Sequence, residues 1–249
     1  MANQGIRRAV LVLLVAAYLW KPLYPQVITT VVGGQWVFRG DGGLARSAPL
    51  GDIWAVATAA DGSVYAADGL NCLVVKATPS GSLHVVAGNG FCGYSGDGGP
   101  ATSAAIVFPS GIAVDSADSL YISDPVNERI RKISAKGTIT TVAGTGQIEY
   151  SGDNGPAISA SLDPGELAVD AAGNLYVSDD WNGRVRKISP TGVISTVAGG
   201  GRDTGDGGSA TSASLNNPRG LAVDQTGNLH RSGSHRRSGL KAHVPMHPS

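Results

Sequence analysis

The chain has 249 residues, of which 42% are hydrophobic and 15% are charged. This length and composition predict a globular protein with one core of ordinary size. Lysine plus arginine and aspartate plus glutamate both number 19. The balance excludes an overall basic field that would attract nucleic acid or an anionic membrane surface.

The N-terminal segment has the pattern of an export signal. Met1–Arg8 carries two arginines and no acid, and Ala9–Trp20 is a run of twelve apolar residues. A membrane-spanning helix needs about 20 apolar residues, so we predict a signal peptide over residues 1–25, with its best cleavage site after Ala17. An uncleaved membrane anchor or a buried N-terminal helix is the alternative. Export predicts a periplasmic, cell-surface or secreted protein.

Four short sequence markers recur along the chain with one period. The first ends at Gly33, Gly88, Gly144 and Gly199, which are 55, 56 and 55 residues apart. The second is a glycine-rich segment around one aspartate, the third contains Ala-Val-Asp, and the fourth begins with Leu-Tyr and ends with Ser-Asp. The copies are, for the second, Arg39–Gly43, Ser95–Ala101, Ser151–Ala157 and Thr204–Ala210; for the third, Gly111–Asp115, Glu166–Asp170 and Gly220–Asp224; for the fourth, Leu120–Asp124, Leu175–Asp179 and a copy broken at Leu229–His230.

Each period contains short apolar runs rich in Val, Ile and Tyr, separated by Gly, Asp, Asn and Pro, a pattern typical of strands. No helix is predicted after residue 25. In one unit we predict strands A to D at residues 111–115, 120–124, 129–134 and 138–143. Four antiparallel strands per unit make a propeller blade, so the predicted fold is an all-β, propeller-type array over residues 26–230. Full blades are predicted at about 53–88, 111–144 and 166–199, a partial blade at 219–230, and a preceding D strand at 27–33.

The loops that join strand D to the next strand A are about 20 residues long and are the predicted ligand face, because exposed loops on a rigid scaffold usually carry recognition. The candidate residues there are Tyr94, Asp97, Tyr150, Asp153 and Asp206. Packing against the next blade is the alternative role of these loops. Calcium binding at Asp41 and its repeats is disfavoured, since each loop offers one carboxylate and Asp-Gly is ordinary turn chemistry.

Basic strands recur at Arg129–Lys132 and Arg184–Lys187, but Leu73–Lys76 breaks the pattern in the first unit. No continuous basic stripe is therefore predicted, and no nucleic-acid partner. We expect these arginines to pair with turn aspartates of neighbouring blades at exposed positions, where such pairs contribute little. His84 is the one histidine within a complete unit, and no nucleophile elbow or phosphate loop occurs. We assign no catalytic residue, metal or cofactor; a metal-dependent propeller lactonase or lyase is the enzymatic alternative.

A disulfide is predicted between Cys72 and Cys92. Strands of a blade alternate in direction, so the B to C turn that holds Cys72 and the exit of strand D that precedes Cys92 lie at the same end. Both cysteines occur in one unit and both are missing from the others. Two unrelated thiols remain the alternative.

Residues 231–249 form a basic tail without acids, where the rest of strand B and a strand C were due. We predict a disordered tail, and a frameshift would explain it, which the downstream nucleotide sequence in the other frames would test. A truncated or frameshifted propeller fragment without independent function is thus an alternative for the whole chain.

The markers together resemble those of NHL-repeat proteins, in particular a long-loop bacterial subtype similar to the teneurin NHL domain. The resemblance covers residues 27–229 and implies a six-bladed propeller used chiefly for binding. Three full blades and two partial ones cannot close such a ring. The sequence therefore predicts an exported, non-catalytic module that binds a protein, peptide or glycan, contacts membrane only if the N-terminal segment is uncleaved, and tends to self-associate.

Overall fold

The computed structural model describes residues 38–203, 207–224 and 226–233, within one unit that spans residues 38–249. The predicted signal peptide, the D strand at 27–33 and residues 234–249 of the tail lie outside the described residues. The described strands form three four-stranded antiparallel sheets and one two-stranded sheet. The predicted all-β array of four-stranded blades is therefore confirmed.

Strands A to D of each blade pair in chain order. Blade 1 contains β1 Ile53–Thr58, β2 Val64–Asp68, β3 Leu73–Ala77 and β4 Leu83–Ala87; blade 2 contains β5 Ile112–Val114, β6 Leu120–Asp124, β7 Arg129–Ile133 and β8 Ile139–Ala143; blade 3 contains β9 Pro164–Val169, β10 Leu175–Asp179, β11 Arg184–Ile188 and β12 Ile194–Gly199; blade 4 contains β13 Pro218–Val223 and β14 Leu229–Gly233. The predicted strand B of blade 2 has the observed bounds, and its other three strands are one or two residues shorter than predicted.

The helical elements among the described residues are 3-10 turns of three residues each: Ala45–Ser47, Ala101–Ser103, Pro125–Asn127, Ala157–Ser159 and Ala210–Ser212. No helix in the described part of the chain is long and apolar enough to cross a membrane.

The hydrophobic core lies between adjacent blades. Every residue of β6 and of β10 is buried, because strand B has a neighbouring blade on each face. Ile122 of β6 packs with residues of blade 1, whereas Val177 of β10 packs with residues of blade 2. A third cluster joins blades 3 and 4. Each full blade is therefore stabilised by burial against its neighbours rather than by a core of its own.

The first two loops from strand D to the next strand A run along the outer strand, strand D, of the following blade. Gly98 donates its N–H to Ile139 O at 2.8 Å, and Ile139 N–H donates to Gly99 O at 3.0 Å. Asn154 bonds to β12 of blade 3 in the same way, at 2.7 Å. These bonds use peptide groups that an exposed sheet edge would otherwise leave open to pairing with another chain.

Strand B of blade 4 extends further than the sequence suggested. We predicted the repeat to end at residue 230 and a tail without strands from residue 231, but β14 continues to Gly233 and pairs with Pro218 of β13. His230 also keeps a hydrogen bond of the repeat, since its Nε2 lies 3.1 Å from Asp224 Oδ2. In blade 2 the residue at the same place is Tyr121, whose OH donates to Asp115 Oδ2 at 3.2 Å. Backbone pairing with β13 carries the strand across this departure from the repeat.

Candidate functional site

The predicted ligand-face residues of the first long loop are bonded to blade 2. Asp97 accepts hydrogen bonds from Thr141 Oγ1 at 2.7 Å, Arg131 Nη2 at 2.8 Å and Tyr94 OH at 3.1 Å. The Tyr94 ring lies against Arg131, whose guanidinium carbon is 4.8 Å from the ring centre. Burial raises the pKa of Asp97, but these bonds and the arginine charge outweigh it and the pKa falls below its usual value.

The second long loop repeats this arrangement on blade 3. Asp153 accepts from Arg186 Nη2 at 2.7 Å and from Tyr150 OH at 2.7 Å. Arg184 lies 3.8 Å from the Tyr150 ring centre. Asp206 lies outside the described residues. The described pairs of tyrosine and aspartate thus pack against the next blade, but Tyr94 and Tyr150 remain 44% and 38% exposed, so their role at a ligand face stays a prediction. No group of three or more His, Cys, Asp or Glu among the described residues could hold a metal ion.

One arginine in each basic strand is buried, contrary to the exposed positions that the sequence predicts. Arg131 and Arg186 are completely buried. Each binds the loop aspartate and also an aspartate of its own blade: Arg186 Nη1 lies 3.1 Å from Asp179 Oδ2. The expected pairing with an aspartate of a neighbouring blade is therefore wrong for Asp179, because Asp179 ends β10 and lies beside Arg186 on the paired strand β11 of the same blade.

Cys72 and Cys92 form a disulfide, with Cα atoms 5.4 Å apart, which is an ordinary separation for such a bond. Cys72 is buried and has a positive φ of 52° in the B to C turn. The bond ties this turn to the start of the long loop.

A pocket that the sequence analysis did not find lies at the end of the array where the B to C turns and the D to A loops meet. Its volume is about 740 Å³. We call it the loop-end pocket, lined by Trp54, Ser110, Pro125, Asp163, Pro164, Gly165, Glu166, Asp180, Trp181, Gly183, Leu215, Asn216, Asn217 and Arg219. Four of these residues, one from the start of each strand A segment, occupy the same place in the repeat: Trp54, Ser110, Gly165 and Arg219. The pocket therefore lies where the four innermost strands converge.

Blade 3 supplies three carboxylates to the loop-end pocket at positions where blade 2 has none. Asp163 corresponds to Val107, since the backbone N–H of each bonds to the aspartate that ends strand B. Glu166 and Asp180 correspond likewise to Gly111 and Pro125 in the aligned repeats. The acidic character of the pocket is thus a departure of one blade from the repeat.

Burial raises the pKa of all three pocket carboxylates. The pKa of Asp180 rises to about 6, because burial and the nearby charge of Asp163 outweigh a hydrogen bond from Ser178 and the attraction of Arg219. The Trp181 N–H donates to Asp163 Oδ2 at 3.0 Å and partly offsets the burial of that group. Asp180 Oδ1 is buried and has no hydrogen-bond partner.

The absence of a side chain at Gly165 makes room for the Asp180 carboxylate. A Cβ at Gly165 would lie 2.5 Å from Asp180 Oδ2 and 2.5 Å from Ser178 Oγ. Two tryptophans complete the lining, and their side chains are open to solvent: Trp54 is 55% exposed and Trp181 is 84% exposed. The pocket therefore combines two exposed tryptophans with carboxylates of reduced hydration.

The residues that the repeats share do not predict this pocket. The available signal was the opposite one, the places where a single repeat differs. Glu166 replaces a glycine in an otherwise constant segment, and Asp180-Trp181 replaces Pro125-Val126. In an array of similar blades, such substitutions mark positions that the fold itself does not require.

Comparisons with known proteins agree with this fold. The family model of the teneurin NHL domain matches residues 79–151. Human teneurin-4 is 32% identical over 137 residues, which cover 49% of this chain and 5% of teneurin-4. The chain thus spans about one twentieth of the length of that relative.

Two solved bacterial structures are similar to this chain at low sequence identity. An auxiliary nutrient binding protein from Bacteroides thetaiotaomicron superposes with a TM-score of 0.51 at 17% identity, over 69% of this chain and 43% of that one. A gluconolactonase from Xanthomonas campestris has a TM-score of 0.47 at 17% identity, over 74% and 71% of the two chains. At this identity the first similarity concerns the fold alone.

Proposed function

The chain is built from NHL-type repeats arranged as propeller blades, and from this premise we propose that it is a non-catalytic binding module whose loop-end pocket recognises a protein, peptide or glycan. The observation that carries the proposal is the pocket itself, with a volume of about 740 Å³ and two solvent-exposed indoles. Exposed tryptophans at the rim of a concave site are typical of binding surfaces, because they bury a large area with few rotatable bonds.

The proposal predicts that one surface tryptophan is essential for ligand capture and dispensable for folding. We would screen the folded chain against a displayed peptide library and a glycan array, together with Trp181→Ala and Val126→Ala. Val126 is the matched control, since it occupies the position of Trp181 in blade 2 and is 61% exposed. Ligands retained by wild type and Val126→Ala but lost by Trp181→Ala would support the proposal. Ligands that bind all three equally, or none enriched at all, would contradict it.

A propeller lactonase or lyase is the rival function, and one observation favours it. Asp180 has a pKa of about 6 in a pocket, and a raised carboxyl pKa is typical of general acids. Incubation with gluconolactone and titration of the released acid tests this rival. Turnover that Asp180→Asn abolishes would replace the binding proposal with an enzymatic one.

We further propose that the repeats are exported to the periplasm, the cell surface or the medium. The argument is the basic segment and twelve-residue apolar run at the N-terminus. A fusion of residues 1–30 to a reporter that is active only outside the cytoplasm should be active. An inactive reporter retained in the cytoplasm would reject export.

A further inference from the structure

The charge of the loop-end pocket is unbalanced. Its lining holds the carboxylates of Asp163, Glu166 and Asp180 against one cation, Arg219. Charged groups of one sign in a cavity with low-dielectric walls concentrate ligands of the opposite sign. The ligand that fits this field is cationic.

Two of the pocket carboxylates are destabilised by burial. Burial raises the pKa of Glu166, and no described neighbour offsets that effect. Asp180 Oδ1 is buried without a partner. A buried acceptor that lacks a donor is unfavourable, so a ligand that donates an N–H group would stabilise the Asp180 carboxylate on binding. A positive charge on that ligand would also offset the burial of Glu166.

The two tryptophans of the pocket, Trp54 and Trp181, also favour a cationic ligand. The faces of tryptophan attract ammonium and guanidinium groups more strongly than those of other aromatic residues. The chain already uses this contact elsewhere, since the guanidinium carbon of Arg129 lies 4.3 Å from the ring centre of Tyr94. Trp54 and Trp181 line the pocket and are 55% and 84% exposed, so their rings are accessible to a cationic group.

We propose that the loop-end pocket binds a lysine or arginine side chain of a peptide or protein ligand, with the cation between the pocket carboxylates and the two indoles. The inference rests on the proposed binding function and names its ligand class. A sugar could stack on the tryptophans and donate to the carboxylates, but it would leave the repulsion among the carboxylates unrelieved. The volume of about 740 Å³ accommodates a cationic side chain together with the backbone that carries it.

The test measures binding of fluorescein-labelled hexalysine and hexaarginine to the folded chain. Hexaglutamate and cellohexaose serve as the acidic and glycan probes, and cadaverine and agmatine as free amines. We expect the two cationic peptides to bind more tightly than every other probe. Glu166→Gln and Asp180→Asn should each weaken that binding about tenfold and Trp181→Ala by a similar factor, whereas Asp118→Asn, which removes an exposed turn carboxylate outside the pocket, should change it by less than about twofold.

Binding of the cationic peptides should also strengthen as the pH rises from 5 to 7.5. Asp180 loses its proton in this interval, and the groups that act on it are Asp163, Asp179, Arg219 and the Ser178 hydroxyl. The increase should be smaller in Asp180→Asn, where the remaining change comes from Glu128, whose pKa is about 7 and which repels Asp163 of the pocket. A flat profile in the wild-type chain would contradict the assignment of Asp180 to the cation.

The outcomes separate this inference from the proposed function. If cellohexaose or hexaglutamate binds in a manner that Trp181→Ala abolishes while the cationic peptides do not bind, the binding function stands and the cationic ligand is wrong. If cadaverine or agmatine binds as tightly as the peptides, the ligand is a small amine and the peptide assignment is wrong. If no probe binds and the library screen is also empty, both proposals fail.

Discussion

At the scale of single residues, the two buried arginines, Arg131 and Arg186, each connect a long loop with the end of strand B. Arg186 connects Asp153 of the long loop with Asp179 at the end of strand B. The pKa of Asp179 is raised, because its burial outweighs the favourable contacts with Arg186 and Asn182. Without Arg186, the buried Asp179 carboxylate would lose its cation and its ionised form would become less stable.

Replacing Arg186 with methionine should lower the free energy of unfolding by about 3–5 kcal/mol, because it leaves a buried carboxylate without its cation. Arg186→Lys should recover part of the loss, since it restores the charge without the bidentate geometry. Lys187→Met, at the adjacent and partly exposed position, should change stability by less than about 0.5 kcal/mol. Urea unfolding measures all three, and equal effects of the substitutions at 186 and 187 would contradict the role of Arg186.

Glu128 offers a second test at the residue scale, through pH. Burial and repulsion from Asp163, Asp179 and Glu149 raise its pKa to about 7, and its Oε2 has no hydrogen-bond partner. A folded pKa above the ordinary value of 4.5 means that the folded state binds the proton more tightly than the unfolded chain. The associated stability is present below pH 4.5 and is lost as the pH rises through 7.

Glu128→Gln should therefore stabilise the protein at pH 8, by roughly 1 kcal/mol once solvent screening of this partly buried group is considered, and should have little effect at pH 4. Thermal unfolding at the two pH values measures the difference. Asp118→Asn, at an exposed turn, is the control and should show no such pH dependence. A stabilisation of equal size at both pH values would argue against repulsion as its cause.

At the scale of elements, the glycine-rich segments of the first two long loops bind the outer strand of the following blade. Gly96 has a φ of +90°, and a Cβ there would lie 2.7 Å from the Cβ of Ala104. Gly98 has a similar φ of +82° but no atom within 4 Å of a built Cβ. The two positions separate backbone strain from close packing within one loop.

Gly98→Ala should lower stability by about 1 kcal/mol through its left-handed conformation alone. Gly96→Ala should lower it by about 2–4 kcal/mol, because overpacking adds to the strain. Denaturant unfolding of the two variants measures the difference directly. Equal losses would mean that the loop moves freely away from Ala104, contrary to the anchoring described here.

The disulfide should stabilise blade 1 by constraining the connection between its B to C turn and the long loop. The cysteines are 20 residues apart. In the chain-entropy model a loop of that size contributes on the order of 3 kcal/mol. Dithiothreitol should therefore lower the melting temperature of the wild-type chain, and the double variant Cys72→Ala with Cys92→Ala should melt lower and be insensitive to the reagent. Non-reducing peptide mapping that finds two free thiols on the folded protein would end this account.

At the scale of the whole molecule, the outer face of blade 1 has no neighbouring blade among the described residues. Val56 of β1 is 62% exposed, whereas Ile112 and Leu167, at the same place in blades 2 and 3, are 4% and 5% exposed. An apolar sheet face of this kind favours association. The described part of the chain is an open array.

We therefore predict that the purified chain self-associates, and that Val56→Ser shifts it towards the monomer. Val126→Ser is the control, since Val126 is similarly exposed, at 61%, but lies in the B to C turn of blade 2. Light scattering gives the mass and calorimetry the cooperativity of unfolding. A monomeric wild-type chain with one sharp transition would instead favour a closed four-bladed ring in which residues 27–33 complete blade 4.

The sequence by itself determined the elements of this fold. Strand B at Leu120–Asp124 was predicted with its observed bounds, since a short apolar run between turn-forming residues depends on neighbours close in the chain. The period of 55 or 56 residues then implied blades, because identical units bury the same faces. Local and repeated patterns of this kind can be identified from the sequence alone.

Only the tertiary structure decided which of the repeated residues are available to a ligand. Asp97 and Asp153 each bind a buried arginine more than 30 residues away along the chain, and Asp97 keeps 40% of its side chain exposed whereas Asp153 keeps 23%. The loop-end pocket arises in the same way, from Trp54, Glu166, Trp181 and Arg219 of three different blades. Contacts of this separation depend on how the blades stack around one another, and no periodicity within a single blade encodes that arrangement.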